Sequence, residues 1–516
     1  MIRIGALLVL LLIVPAHAQH AIAPPGFNPA LVGNVYATAL AFMAPRTLEP
    51  VPVSQLTVWG LRGLTALDPE LITELRDGKL RLTAKDRLIA LAQAPVGTDI
   101  NGWALTAAGL AMAAVEISVP VRRAGTQGVI QSFFDELFNH LDPYSRYMPP
   151  GEAGEDRERR IGQAGAGLRV VRRGAAIVVA EAIAEGPAAL AGIRPGDVIL
   201  DVDGQATQGK DPVAVMDSIA GPEETHVTLV WRSRDGRRHA ADLERALVPP
   251  ETVFAQRLGE ALVIQVTAFN NSTAAHLAHA IEQGLADRRV PAGIVLDLRG
   301  NRGGVLRQAV TAADTLLPAG IVAITAGRYP DANRIWESGA GELAAGMPVV
   351  VIVDGRSASA AEVLAAGLAD RGRGVVIGSS TLGKGLVQTI TPLPDGGELF
   401  VTWSRILAPR GWPIQGLGVL PQVCTSLGQE ILNAQLAMLA QGRQPMAGAL
   451  EIHRAARAPL LPTQILTIRQ YCPAAEGRET DLNTARSLIR DPAAYAAALL
   501  PPIRATGQLS SARGPP

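Results

Sequence analysis

Lysine is almost missing from this chain. Of its 47 basic residues only Lys79, Lys85, Lys210 and Lys384 are lysines. A guanidinium stays charged at any workable pH, so the arginines cannot act where a neutral amine is needed as a base, and the isolated Lys384 in Gly383-Lys384-Gly385 becomes a candidate for that role. Cysteine is scarcer still, with Cys424 and Cys472 alone. That excludes a disulfide-dense scaffold and leaves one disulfide or two free thiols as alternatives. Neither the cysteines nor the eight histidines fall at metal-ligand spacing, so no metal site and no cofactor is expected. Charge of one sign is also lacking, since 47 acidic residues balance the 47 basic ones. With no basic run interleaved with aromatics, there is no electrostatic basis for a nucleic-acid partner.

What is present begins with Met1-Ile2-Arg3, an apolar run from Ile4 to Val14, and Pro15-Ala16-His17-Ala18. The run is short for a bilayer span, and the three regions match a secretory signal with cleavage after Ala18. Gln19 follows the cut where a lipid-anchored protein would have cysteine. An uncleaved anchor is the alternative. Export to a bacterial periplasm is the expected localisation, and it would favour the disulfide.

The remaining length divides by character into a helical segment at 19–155, a β-rich domain at 160–247, an α/β core at 250–423 and a helical segment at 424–516, after the signal at 1–18. Val129-Ile130-Phe133-Phe134-Leu137-Phe138-Leu141 has helical spacing and reads as core. The charged stretch from Gly151 to Arg160 reads as a solvated linker. Beyond Pro250, apolar runs such as Gly293-Ile294-Val295-Leu296-Asp297 alternate with helical stretches, the pattern of a largely parallel sheet with active-site loops at its strand ends.

Ser359 lies in Ser357-Ala358-Ser359-Ala360-Ala361-Glu362, where small residues leave a hydroxyl approachable at the start of an Ala-rich helix. A serine with a lysine base is a hydrolase arrangement. The same letters also spell a capping box, in which the hydroxyl only satisfies backbone N–H groups. Ser357 is the rival nucleophile. Gly378 to Lys384 imitates a phosphate-binding loop, but Gly385 stands where that motif needs Ser or Thr, and Val387 to Thr391 reads as a strand instead of a helix. No histidine lies in a patterned segment that would build a Ser-His-Asp triad.

Gly165-Ala166-Gly167-Leu168, followed by Gly192-Ile193-Arg194-Pro195-Gly196-Asp197 and Val202-Asp203-Gly204, resembles a PDZ domain. That resemblance assigns Gly165, Gly167 and Leu168 to capture of a peptide's C-terminal carboxylate. Four further patterns, Leu141-Asp142-Pro143-Tyr144-Ser145-Arg146-Tyr147, Asp297-Leu298-Arg299-Gly300-Asn301-Arg302-Gly303-Gly304, the Ser-Ala-Ser-Ala segment and Thr381-Leu382-Gly383-Lys384-Gly385-Leu386-Val387-Gln388, resemble the carboxyl-terminal processing proteases. The expected fold is multidomain α/β: a helical N-terminal segment, a PDZ-like β domain, a ClpP/crotonase-like α/β protease core and a helical C-terminal segment.

The resemblance implies Ser359 as nucleophile, Lys384 as general base and Gln388 as the group that orients the lysine from the same strand face. Burial among Leu382, Leu386 and Val387 would lower the lysine pKa. Oxyanion donors are expected from the N–H of Ala360 and from Gly303 or Gly304. Substrates would be proteins or peptides with a free C-terminus, and the segments outside the match are candidates for contacts with an adaptor or a second copy. The alternative is a PDZ peptide-binding scaffold with weak or no turnover.

Overall fold

A computed structural model of the chain describes residues 26–183, 186–339, 341–344 and 346–501. The expected signal at 1–18 lies outside them. The described residues form two compact units, one of 26–44, Val51–Tyr147 and Leu393–Asp395, the other of Pro45–Pro50, Met148–Pro392 and 396–501.

In the first unit, α1 (Pro29–Met43), α2 (Val53–Leu61), α3 (Gly63–Leu67), α4 (Ile100–Ile117) and α5 (Val119–Phe138, interrupted at Gly125) surround an aromatic centre. Tyr36 stacks on Phe133 at 3.9 Å, and Phe134 meets Phe133 edge-on at 5.4 Å. The apolar stripe of α5 is buried, as its spacing implies. The expected mostly helical segment is interrupted between α3 and α4. There β1 (Leu71–Arg76), β2 (Lys79–Ala84) and β3 (Arg87–Gln93) form an antiparallel meander. Its turns are Asp77-Gly78 and Lys85-Asp86, all four residues at positive φ, which is the backbone twist that tight hairpins require. Leu80 and Leu82 alternate inward, so local turn chemistry and period-two burial outweigh the helical surroundings.

β4 (Arg146–Met148) leads on to α6 (Pro150–Ile161), which replaces the expected linker. Its charges are ordered by pairing: Arg160 meets Asp156 at 2.7 Å, and Arg157 and Arg160 both reach the buried Glu398, at 2.8 and 2.5 Å. The β-rich domain follows with β5 (Gln163–Gly165), β6 (Leu168–Arg173), β7 (Ala176–Ala182), α7 (Pro187–Leu190), β8 (Val198–Val202), β9 (Gln205–Ala206), α8 (Pro212–Ile219), β10 (His226–Arg232), β11 (Arg238–Glu244) and β12 (Ala246–Val248). Its antiparallel sheet runs β11-β10-β8-β7-β6, with β9 beside β8, while β12 pairs separately with β5. Val170, Ile177, Ile199, Leu229 and Trp231 pack with Val215 and Ile219 of α8.

The α/β core holds β13 (Val253–Leu258), β14 (Ala261–Val266), α9 (Thr273–Ala286), β15 (Gly293–Asp297), α10 (Leu306–Asp314), β16 (Gly320–Ala326), β17 (Arg334–Ser338), β18 (Val349–Val353), α11 (Ala360–Asp370), β19 (Val375–Gly378), β20 (Leu386–Pro392), β21 (Glu398–Leu407) and β22 (Val423–Cys424). One sheet runs β13-β14-β15-β18-β19-β22 and is parallel except for β13. A second, antiparallel sheet, β17-β16-β21-β20, supplies the strand that follows Lys384.

Every residue of β15 and β18 is buried, so that sheet must be covered on both faces. Leu277, Ile281, Val310, Val363 and Leu364 from α9, α10 and α11 cover one face. The other is covered by helices after Cys424: α12 (Gln429–Ala440), α13 (Ala447–Ala455), α14 (Pro462–Arg469), α15 (Glu479–Arg490) and α16 (Pro492–Ala498) follow in order. Of these, α12, α15 and α16 set Leu432, Leu439, Leu488, Ile489 and Tyr495 against Val263, Val295, Val350, Ile352 and Ile377. The C-terminal helices are therefore part of the core packing. Each aliphatic side chain so buried stabilises by roughly 1.5–3 kcal/mol relative to exposure.

Candidate active site

Three loops leave the carboxyl ends of neighbouring parallel strands, the place where open α/β sheets put their chemistry. The loop after β15 carries Gly303 and Gly304, that after β18 leads to Ser359 and α11, and that after β19 leads to Lys384 and β20.

Ser359 takes φ +55° and ψ −117°, a conformation that costs a non-glycine residue on the order of 1–3 kcal/mol and persists only where the surroundings impose it. Its backbone N–H donates to Glu362 Oε2 at 2.7 Å. The capping box is thus half made, because the Ser359 hydroxyl has no hydrogen-bond partner among the described residues and stays free to react. Ser357 differs. Its hydroxyl is fully buried, donates to Leu298 O at 2.8 Å and accepts from Asp354 N at 3.0 Å, so it is spent on the turn.

The two candidate glycines differ in their hydrogen-bond partners. The N–H of Gly303 donates to Asn301 Oδ1 at 2.8 Å. Those of Gly304 and Ala360 have no acceptor among the described residues. Both glycines are required. A Cβ on Gly303 would sit 2.8 Å from Ser359 Cβ, and one on Gly304 would lie 2.0 Å from Phe269 O.

Glu362, fully buried one turn into α11, holds the serine and lysine segments together. Its Oε2 accepts from the N–H of Ser359 at 2.7 Å and of Lys384 at 2.9 Å, and its Oε1 accepts from Gly383 N at 2.7 Å and from the Thr381 hydroxyl. Burial pushes this carboxyl up, opposed by the hydrogen bonds from Thr381, Gly383, Ser359 and Lys384. Sequence reading saw Glu362 only as a capping partner. Its reach to Thr381 and Lys384 spans 19 and 22 residues, beyond any local pattern.

Lys384 is half-buried and precedes β20 instead of lying on it. A bulge between Val387 and Gln388 shifts the register against β21, so even spacing is not what relates Lys384 to Gln388. The Gln388 amide nitrogen donates to Leu386 O at 3.1 Å and to Thr402 Oγ1 at 3.0 Å, which fixes the amide plane. Of the three expected apolar neighbours, Leu386 is buried and Val387 partly buried, whereas Leu382 is 47% exposed. No described histidine hydrogen-bonds Ser359. His453 is buried against Gly418 O at 2.8 Å, where burial pushes its pKa down to about 4.

In the β-rich domain, the N–H groups of Ala166 and Gly167 have no acceptor among the described residues. Gly167 has φ +72°, and a Cβ there would lie 3.2 Å from Val248 Cγ1. With Gly165, Leu168, Met216 and Ile219 these residues line a narrow cavity of about 60 Å³ between β6 and α8.

A free serine hydroxyl at a strained strand-to-helix turn, open N–H donors and a lysine whose backbone N–H shares a Glu362 oxygen with that of the serine, joined in one chain to a glycine-loop β domain, describe a serine-type peptidase with a PDZ module. Residues 260–425 match peptidase family S41 and residues 178–233 a PDZ domain. The chain is 33% identical over 304 residues to a carboxy-terminal-processing protease of Bartonella bacilliformis, covering 58% of this chain and 69% of that protein. It is 31% identical over 339 residues to the chloroplastic C-terminal processing peptidase of Tetradesmus obliquus, covering 61% and 70%. Among solved structures it is similar to the photosystem II D1 C-terminal processing protease, at 30% identity and a TM-score of 0.34, over 56% of this chain and 81% of that one. The chain belongs to the carboxy-terminal-processing protease family.

Proposed function

We propose that this peptidase is exported, captures the free C-terminus of a protein or peptide at the loop of Gly165, Gly167 and Leu168, and hydrolyses the upstream chain through an acyl-enzyme on Ser359. The neutral Lys384 amine takes the Ser359 proton as Oγ attacks the carbonyl. The Ala360 and Gly304 N–H groups bind the oxyanion, and the ammonium then protonates the leaving amine. Water, deprotonated by the same amine, releases the acid. Gln388, its nitrogen committed to Leu386 and Thr402, has its carbonyl oxygen left to orient the lysine.

The observation that carries this reading is the single Glu362 oxygen bonded to the N–H of both Ser359 and Lys384, since it ties the two candidate residues into one site. The Cys424–Cys472 disulfide supports export to an oxidising compartment such as the periplasm. The test is cleavage of an unfolded reporter ending in apolar residues by the chain from Gln19, beside Ser359→Ala and Lys384→Ala, with products mapped by mass spectrometry. Loss in both variants is expected. Unchanged cleavage by either would overturn the pair.

A further inference from the structure

The three active-site loops share a feature outside the reacting groups, a short stretch of the C-terminal segment laid across all of them. After Cys472, the Ala475 N–H donates to Ser379 Oγ at 3.0 Å, and the Ser379 hydroxyl returns a bond to Ala475 O at 2.9 Å. Ala475 O also accepts from Gly355 N at 2.8 Å. Gly477 N donates to Asp354 Oδ2 at 3.2 Å, and Arg478 O accepts from Arg299 Nη1 at 2.6 Å. Arg299, Asp354 and Ser379 each stand five residues before Gly304, Ser359 and Lys384 respectively. One stretch thus touches the root of the oxyanion loop, the nucleophile loop and the lysine loop.

Its anchoring is covalent. Cys472 is bonded to Cys424 with Cα atoms 5.7 Å apart, both cysteines are fully buried, and Cys424 pairs with Gly378 at the end of β19. Ser426 Oγ adds a bond to Pro473 O at 2.7 Å. Asp354 distributes the hold, because its carboxylate also accepts from Gly300 N at 3.0 Å and Ser357 N at 2.9 Å.

We propose that residues 473–478 are a positioning strap for the active site, stapled by the Cys424–Cys472 disulfide, so that full catalytic competence depends on oxidation of that pair. The inference rests on the reading of Ser359 and Lys384 as the catalytic pair. The strap touches no reacting atom; it fixes the loops that do, where a displacement of about 1 Å can cost up to roughly a hundredfold in rate. Closing the staple removes two hydrogen atoms from the two thiols and passes them to a disulfide oxidant of the exporting compartment, which becomes a dithiol.

The test compares the full chain with Ser379→Ala, which removes the hydroxyl clamp and leaves the disulfide intact, and with Cys424→Ser combined with Cys472→Ser. Steady-state cleavage, the rate of labelling of Ser359 by a fluorophosphonate, and affinity for a labelled C-terminal peptide are measured on each. The expected result is about tenfold lower kcat and labelling rate in both variants, with KM and peptide affinity within about twofold, because the hydrogen bonds described for the strap go to Arg299, Asp354, Gly355 and Ser379 of the core loops. Should the cysteine-free chain fail to fold by circular dichroism, Ser379→Ala decides alone. Wild-type kcat in Ser379→Ala, or a loss confined to KM, overturns the strap. Full cleavage and no loss of labelling in Ser359→Ala would instead overturn the underlying catalytic reading, so the two failures are distinct.

Discussion

In the PDZ-like sheet one face is packed and the outer strands β6 and β11 are open edges, whereas in the core sheet β15 and β18 are buried at every position. The polar groups follow the same division. At the strand ends of the core, Asp297, Asp354, Ser357 and Glu362 are buried and hydrogen-bonded. At the glycine loop, the Ala166 and Gly167 N–H groups stand open over a cavity of only about 60 Å³, well short of the few hundred Å³ of sites that enclose a ligand. Peptide capture by strand addition needs an accessible edge and some give between β6 and α8. Acyl transfer needs donors already fixed where charge will develop. The proposed function would place these two demands in sheets of opposite burial.

The strongest way to break this comparison is at the core. Ser359→Ala, or Lys384→Arg with its permanently charged guanidinium, is expected to lower kcat at least about a thousandfold while leaving anisotropy-measured peptide affinity unchanged. A parallel loss of affinity would show that the two sheets are not separable. Glu362→Ala comes next. It strips four donors of their acceptor, and is expected to cost about a hundredfold in kcat and roughly 3 kcal/mol in denaturant unfolding. Glu362→Gln should fall between, because one amide corner would present N–H to N–H.

A smaller effect of opposite kind is expected at the other sheet. Gly167→Val forces a β-branched residue to φ +72° beside Val248 and should raise KM about tenfold with kcat unaltered. A fall in kcat instead would tie the glycine loop to the chemistry. The least effect on activity at neutral pH is expected from His453, which sits near 4 when folded and near 6.5 when unfolded. Between those values the unfolded chain binds a proton that the folded chain does not, so this contribution is complete above pH 6.5 and is lost as pH falls toward 4. About 2 kcal/mol should disappear between pH 7 and pH 5, read from urea midpoints. His453→Gln should flatten that slope, and an unchanged slope would place the acid sensitivity elsewhere.

Much of this was legible in the residues. The α5 stripe, the alternation of the core and the order of the Ser359 and Lys384 segments are local patterns; the first two map to the expected elements, whereas Lys384 falls just before β20. The meander at 71–93 also has a local signal, since Asp77-Gly78 is a hairpin dipeptide in its own right. The helix α6 was hidden because its charges look like a solvated face until Glu398 is found beneath Arg157 and Arg160.

What the sequence determined by itself was periodicity and residue chemistry: which stretches bury one face, where a lone amine stands among guanidinium groups, and where small residues can leave a hydroxyl approachable. Tertiary structure alone decided how the hydrogen-bonding capacity was used. Ser357 is spent and Ser359 is free, Gly303 is occupied and Gly304 open, and Glu362 binds the lysine loop as well as its own helix. The helices after Cys424 cover the second face of the core sheet for the same reason. An amphipathic stripe states that a face will be buried, but the partner it meets, like the partner of any donor, is settled only when distant segments are brought within a few ångströms of one another.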